Sequence, residues 1–235
     1  MCALPVWPNV APHSRTDYGW SPEPPMIRAL LIGLAWLATL EGPGSHQAPD
    51  PLAARSKGRR TAAVTVYEMS DFQCPYCRGF ALETMPSLER EYLATGKVRL
   101  VYITLPLTSV HPNAVAAAEI ALCAARQHRF WPLHDLLFRH QDDWASLPEP
   151  RAYLLALGDS AGLDRAKLAR CVTSRATAAE VETDAARARR AGARSTPTFY
   201  IEGGLIEGAP PIGVFRAVLD SIYQAKTTTA PARPR

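Results

Sequence analysis

Residues 67–77 read Tyr67-Glu68-Met69-Ser70-Asp71-Phe72-Gln73-Cys74-Pro75-Tyr76-Cys77. In this run a strand pattern gives way, across a short polar turn, to two cysteines at helical spacing. Before the turn, Ala63 to Met69 is rich in β-branched and aromatic residues and nearly continuous in apolar character, which predicts a central strand covered on both faces. After it, Cys74 to Leu93 predicts a helix with Phe80, Leu82, Leu88 and Leu93 on its buried side, Pro86 as a kink and Gly96 as its stop. Val98 to Leu105 is a second apolar strand. A helix between two such strands makes a β-α-β unit, so the strands run parallel with a right-handed crossover.

Outward from this unit, residues 111 to 191 carry helical patterns broken at Pro132, Pro148, Pro150 and Gly162, with no strand among them. Pro112 suits a first helical position before the alanine-rich run to Arg126, Asp164 suits the N-cap of Arg165 to Ser174, and Gly192 closes the last helix. Strand signals return at Thr198 to Ile201 and Leu205 to Glu207, separated by the turn Glu202-Gly203-Gly204, and a helix from Pro211 to Gln224 follows. The order β-α-β, helices, β-β-α is an α/β architecture, that of a thioredoxin-like fold interrupted by an inserted α-helical subdomain.

The ends read differently. Residues 1–25 hold six prolines and no periodic apolar pattern, which predicts a disordered leader or a misassigned start before Met26. In residues 26–44 Arg28 precedes the apolar run Ala29 to Leu40 and the exit Gly42-Pro43-Gly44, the layout of a secretory signal peptide or an N-terminal anchor. Residues 45–61 read as a solvated basic linker carrying Arg55, Lys57, Arg59 and Arg60, and residues 227–235 as a disordered tail. The domain itself is expected over 62–226. Across the 235 residues the net charge is only +4 and no aromatic residue interleaves the basic cluster, so a dedicated nucleic-acid binder is not expected.

The 67–77 stretch resembles the DsbA family of extracytoplasmic thiol-disulfide oxidoreductases. So do Phe130-Trp131-Pro132-Leu133-His134-Asp135-Leu136-Leu137-Phe138 and Ser195-Thr196-Pro197-Thr198-Phe199. A lone Cys-x-x-Cys also serves zinc sites and structural bridges, whereas three motifs in order around a helical insert are specific. No clear extra strand precedes Ala62, so the sheet edge is expected to be abbreviated.

Thiol chemistry accounts for the residue types. Cys74 at a helix N-terminus meets unpaired N–H groups and the positive end of the helix dipole, which favours thiolate and makes it the nucleophile. Cys77, three residues on, is the resolving thiol, and Pro75 stiffens the first turn beside Tyr76. Glu68, in an apolar strand, is expected to be partly buried and, by resemblance, to exchange a proton with Cys77. The resemblance also implies a cis bond at Thr196-Pro197, in a loop that faces the cysteines and pairs with extended substrate. Arg194 is placed to add positive potential. A thiolate held well below its ordinary pKa would raise a thioredoxin-like potential by about 70 mV, in the direction of an oxidant.

Cys123 and Cys171 lie in separate helices of the insert, on a chain bound for an oxidising compartment. A structural disulfide between them is expected, the other reading being two buried free thiols. His128, His134 and His140 do not share a face and no acid or thiol completes a set, so no metal site is expected, and no cofactor is implied. A monomer is expected, with unfolded or reduced substrate proteins as partners, and the resemblance implies reoxidation by a membrane quinone-linked thiol oxidase. Cys-Pro-Tyr-Cys does not itself fix direction. A reductase or isomerase of the same fold, or a non-catalytic peptide-binding module, remains open.

Overall fold

The computed structural model describes residues 52–228. The expected leader and signal or anchor, and most of the expected tail, lie outside that range. Five strands form one sheet in the order β1-β3-β2-β4-β5. At its centre β2 (Val64–Ser70) and β3 (Val98–Thr104) pair in parallel from Val64↔Val98 to Ser70↔Thr104. Antiparallel to β2 lies β4 (Thr198–Ile201), which turns into β5 (Gly204–Glu207). The turn has two residues, not three. Glu202 and Gly203 both take positive φ, 48° and 91°, as the hairpin turn that matches strand twist requires.

Residues 52–61, ahead of the start at 62 that the sequence suggests, already carry regular structure. Residues 52–61 are not a solvated tether: a 3-10 turn at Ala53–Arg55 leads into β1 (Ser56–Lys57), which pairs antiparallel with the outer edge of β3. Arg55 is 2% exposed and ion-pairs with the buried Asp184, while Lys57 pairs with Glu89 and sits 4.5 Å above the Trp131 ring. The indole Nε1 of Trp131 donates to the Ser56 carbonyl. A local charge pattern reads as solvated because the acid that answers Arg55 lies 129 residues away.

The helix after the cysteines starts as α1 (Pro75–Gly79), passes through a π turn at Phe80–Thr84, continues as α2 (Met85–Leu88) and ends in a second π turn at Glu89–Leu93. Pro86 explains the first π turn. Its ring would clash with the carbonyl of Leu82 in a regular ladder, and widening the turn relieves this. The widened turn also shifts the helical phase, so Leu82, expected inside, is 38% exposed, while Phe80, Leu88 and Leu93 are buried.

Six helices form the insert: α3 (Ala114–Ala125), α4 (Phe130–Arg139), α5 (Gln141–Trp144), α6 (Arg151–Ser160), α7 (Arg165–Thr173) and α8 (Ala178–Arg190). The N-cap of α3 is Asn113, so Pro112 stands outside the helix. Asp164 caps α7 by accepting from the Lys167 N–H. Cys123 of α3 and Cys171 of α7 are joined by a disulfide, with 5.9 Å between their Cα atoms. The last helix, α9 (Ile212–Thr228), outruns its expected end and takes in residues 227 and 228. It packs Phe215 and Leu219 with Phe80 and Phe199 on one face of the sheet. The opposite face, with Met69, Val101 and Ile103, meets Ala185 and Ala188 of α8.

Candidate active site

Cys74 is the N-cap of α1, with extended backbone (φ −75°, ψ 124°), and Pro75 takes the first turn, where a missing N–H costs nothing. Cys77 follows one turn later and is fully buried, while the Tyr76 side chain between them is 69% exposed. Both cysteines are free thiols. Their environments push them apart. The Cys74 pKa is lowered to about 6, chiefly by hydrogen bonding from Cys77, helped by the Thr196 side chain and the backbone N–H groups of Cys77 and Tyr76, against the effect of burial. None of the leading contributions comes from Arg194, which is exposed. The Cys77 thiol is pushed well up by burial and by its neighbour Cys74.

The turn before α1 is held by a residue the sequence reading passed over. Asp71 is 2% exposed; its carboxylate accepts from the Gln73 N–H at 2.8 Å and the Leu107 N–H at 2.9 Å, and lies 2.8 Å from His111 Nδ1. Its own N–H donates to Cys77 Sγ at 3.4 Å. Gln141 of α5 donates to the carbonyls of Phe72 and Cys74, so the insert grips the cysteine turn from the other side. Asp71 two residues before Gln73 matches an Asx-turn, a signal that could have been used; Gln141 offers no local signal.

Glu68 is fully buried, and its pKa is raised to about 8, burial outweighing the lowering by the Ser70 hydroxyl and Lys57. Its register partner across the parallel pair is Tyr102. The Tyr102 ring stacks on Phe72 and meets His134 edge-on, and His134 is itself buried, with its pKa lowered by burial. Of the other histidines, His140 pairs with the exposed Asp143. Among the described residues no cluster of three metal-ligating side chains occurs.

The Thr196–Pro197 peptide bond is cis. Cys74 Sγ donates to the Thr196 carbonyl at 3.2 Å, which brings the proline loop against the cysteine from 122 residues away. The structure thus gathers Glu68, Cys74, Pro75, Cys77, Thr196 and Pro197 at the end of β2. The Cys123–Cys171 disulfide lies in the insert.

A parallel β-α-β unit with a Cys-x-x-Cys at its helix terminus, faced by a cis-proline loop, defines a thioredoxin-fold dithiol protein. The family model described as Thioredoxin matches residues 53–221, and the chain belongs to that family. It is 37% identical over 174 residues to the Na(+)/H(+) antiporter NhaA 3 of Salinispora tropica, a match covering 74% of this chain and 25% of the antiporter. It is 28% identical over 155 residues to the probable disulfide bond formation protein D of Bacillus anthracis, covering 64% of this chain and 70% of that protein. Oxidised BdbD from Bacillus subtilis has the same fold: the TM-score is 0.67 at 21% identity, over 72% of this chain and 92% of that one. The chain spans about a quarter of the antiporter's own length.

Proposed function

We propose that this protein is a thiol-disulfide oxidoreductase acting as a dithiol oxidase, which donates the Cys74–Cys77 disulfide to folding extracytoplasmic proteins. The observation that carries the reading is the geometry of the pair: Cys74 at the N-terminus of α1, its sulfur 3.2 Å from the Thr196 carbonyl of the cis-proline loop, and Cys77 fully buried one turn behind it. A substrate thiolate attacks Cys74 Sγ, the Cys74–Cys77 bond breaks, and Cys77 leaves as a thiolate that takes a proton from Glu68. A second substrate thiolate then attacks the substrate sulfur of the mixed disulfide. Cys74 departs as a stable thiolate, and the substrate keeps the new disulfide. Thr196 and Pro197 line the approach beside Tyr76 and Pro75, where an extended segment pairs with the loop backbone. A membrane quinone-linked thiol oxidase reoxidises the pair, and the apolar run at 29–40 directs export.

The pull towards oxidation is smaller than the sequence suggested. A Cys74 pKa of about 6 stabilises the reduced form at pH 7 by about 1.4 kcal/mol, or about 30 mV rather than about 70. That smaller value favours a second reading, a reductase or isomerase of the same fold. Equilibration with glutathione decides between them. A potential well above about −270 mV, with faster oxidation of a reduced unfolded protein than reduction of insulin, supports the oxidase; a potential at or below that value replaces it with the reductase.

A further inference from the structure

We propose that the Ser70 hydroxyl relays the proton between Cys77 Sγ and the Glu68 carboxyl, an inference that rests on the reading of Cys77 as the buried partner thiol and Glu68 as its proton store. Along β2, Glu68 and Ser70 are two residues apart and share one face of the sheet. The register of the parallel pair adds Tyr102 on the neighbouring strand. The next residue, Asp71, donates its N–H to Cys77 Sγ at 3.4 Å, so the backbone leaving Ser70 runs directly under the thiol. Glu68, Ser70, Cys77 and Tyr102 are all 1% exposed or less.

Within this buried cluster the Ser70 hydroxyl has no fixed protein partner. Both Glu68 oxygens, Ser70 Oγ and the Tyr102 hydroxyl are buried without a hydrogen-bond partner among the protein groups. Yet the same hydroxyl holds down the pKa values of Glu68, Cys77 and Tyr102 alike, each against the larger upward push of burial. Buried polar groups are ordinarily paired, and a group of orphans around one hydroxyl calls for an explanation. A hydroxyl carries one donor and two acceptor sites and turns freely between them, which is what a relay between an acid and a thiolate needs. The other charged or titratable groups that act on the cluster are Lys57 on Glu68, Cys74 on Cys77 and Asp71 on Tyr102. His134 meets the Tyr102 ring edge-on.

The step balances. As the substrate thiolate forms its bond to Cys74 Sγ, the electron pair of the broken Cys74–Cys77 bond stays on Cys77. Ser70 gives its proton to that sulfur and takes one from the Glu68 carboxyl, leaving a Glu68 carboxylate and a neutral serine. In the reverse direction the Cys77 proton passes through Ser70 to the carboxylate.

The test is the rate at which a small thiol opens the oxidised Cys74–Cys77 bond, followed across pH by stopped flow in the wild type and in Ser70→Ala, Ser70→Thr and Glu68→Gln. General acid catalysis is worth roughly a hundredfold or more, so Ser70→Ala is expected to slow opening by at least about tenfold, with Ser70→Thr close to the wild type. Because the serine lowers the Glu68 pKa, its loss also moves the limb of the pH–rate profile near pH 8 to higher pH, while the pH profile of Cys74 alkylation stays in place. A merely structural role would not move that limb. Wild-type rates in mixtures of light and heavy water keep the test alive if the alanine variant fails to fold. A curved dependence on deuterium content means two protons in flight and supports the relay; a linear one overturns it. Unchanged opening in Ser70→Ala with slow opening in Glu68→Gln overturns the relay and leaves the proton store standing. Unchanged opening in Glu68→Gln overturns the store and the relay together.

Discussion

Cys74 Sγ lies 3.2 Å from the carbonyl oxygen of Thr196, and the Thr196 side chain, whose hydroxyl has no hydrogen-bond partner of its own, is among the groups that hold the Cys74 pKa down. The carbonyl accepts from the thiol and so favours the protonated form, whereas the neighbouring side chain lowers the pKa. Thr196→Val removes only the second influence. The Cys74 pKa is expected to rise above about 6 and the reduction potential to fall, with both read from alkylation against pH and from glutathione equilibration. An unchanged pKa would show that the backbone N–H groups and Cys77 alone hold the sulfur down.

On the proposed reading only Cys74 forms the bond to substrate. A Cys77→Ser variant is expected to accumulate mixed disulfides with reduced substrate, and a Cys74→Ser variant to form almost none, because Cys77 is buried and its thiol is held well above its ordinary pKa. Non-reducing gels of protein trapped with acid read the difference. Equal trapping by both variants would require Cys77 to be reached from solvent.

Glu68 also makes stability depend on pH. Its pKa rises from 4.5 to about 8 on folding, so between those values the folded state binds more protons than the unfolded one, and stability falls as pH rises. The favourable contribution is complete below about pH 4.5 and lost above about pH 8. At pH 7 the loss is on the order of 3 kcal/mol for a fully buried group. Glu68→Gln should flatten this slope in denaturant titrations of the reduced protein. A slope unchanged between pH 5 and 8 would place its source elsewhere.

The Cys123–Cys171 disulfide closes a sequence separation of 48 residues. By chain entropy that is worth about 4 kcal/mol. Cys171→Ala should therefore lower stability by roughly 2 to 4 kcal/mol while leaving the Cys74 pH profile unchanged. Loss of thiol exchange at temperatures where the variant is still folded would contradict a purely structural role.

Arg55 and Asp184 form a buried ion pair, and Asp184 also accepts from the backbone N–H and the hydroxyl of Thr104 on β3. Removing one partner strands the other charge in the interior. Arg55→Ala is expected to cost about 3 to 5 kcal/mol, and Arg55→Met with Asp184→Leu to recover most of it. Equal losses in the single and double variants would show that the Thr104 bonds, not the ion pair, carry the stabilisation.

The central strands, the cysteine helix and the closing hairpin were legible because each is written locally, in apolar runs, spacing or turn residues. Glu68 announced itself as an acid among Val66, Tyr67 and Met69. What escaped the sequence depends on distant partners. Arg55 looks solvated until Asp184 is brought beside it, and Gln141 is one polar residue among several until α5 sets it against Phe72 and Cys74. Leu82 fits a regular helix, and only the π turn imposed ahead of Pro86 carries it outward. Ser70 looks like an ordinary strand end until the β2–β3 register surrounds it with an acid, a phenol and a thiol.

The placement of the cysteines bears on how the chain acquires its own covalent structure. The four cysteines of the described residues can pair in three ways, and both incorrect ways engage Cys74 with Cys123 or Cys171. Once α1 has formed with the Cys77 thiol free beside it, Cys74 has a pKa of about 6 and leaves readily as a thiolate, so a bond made to it is readily expelled by a neighbouring thiolate. The same readiness to leave that suits Cys74 to the proposed exchange with other chains also makes a wrong bond to Cys123 or Cys171 easy to undo.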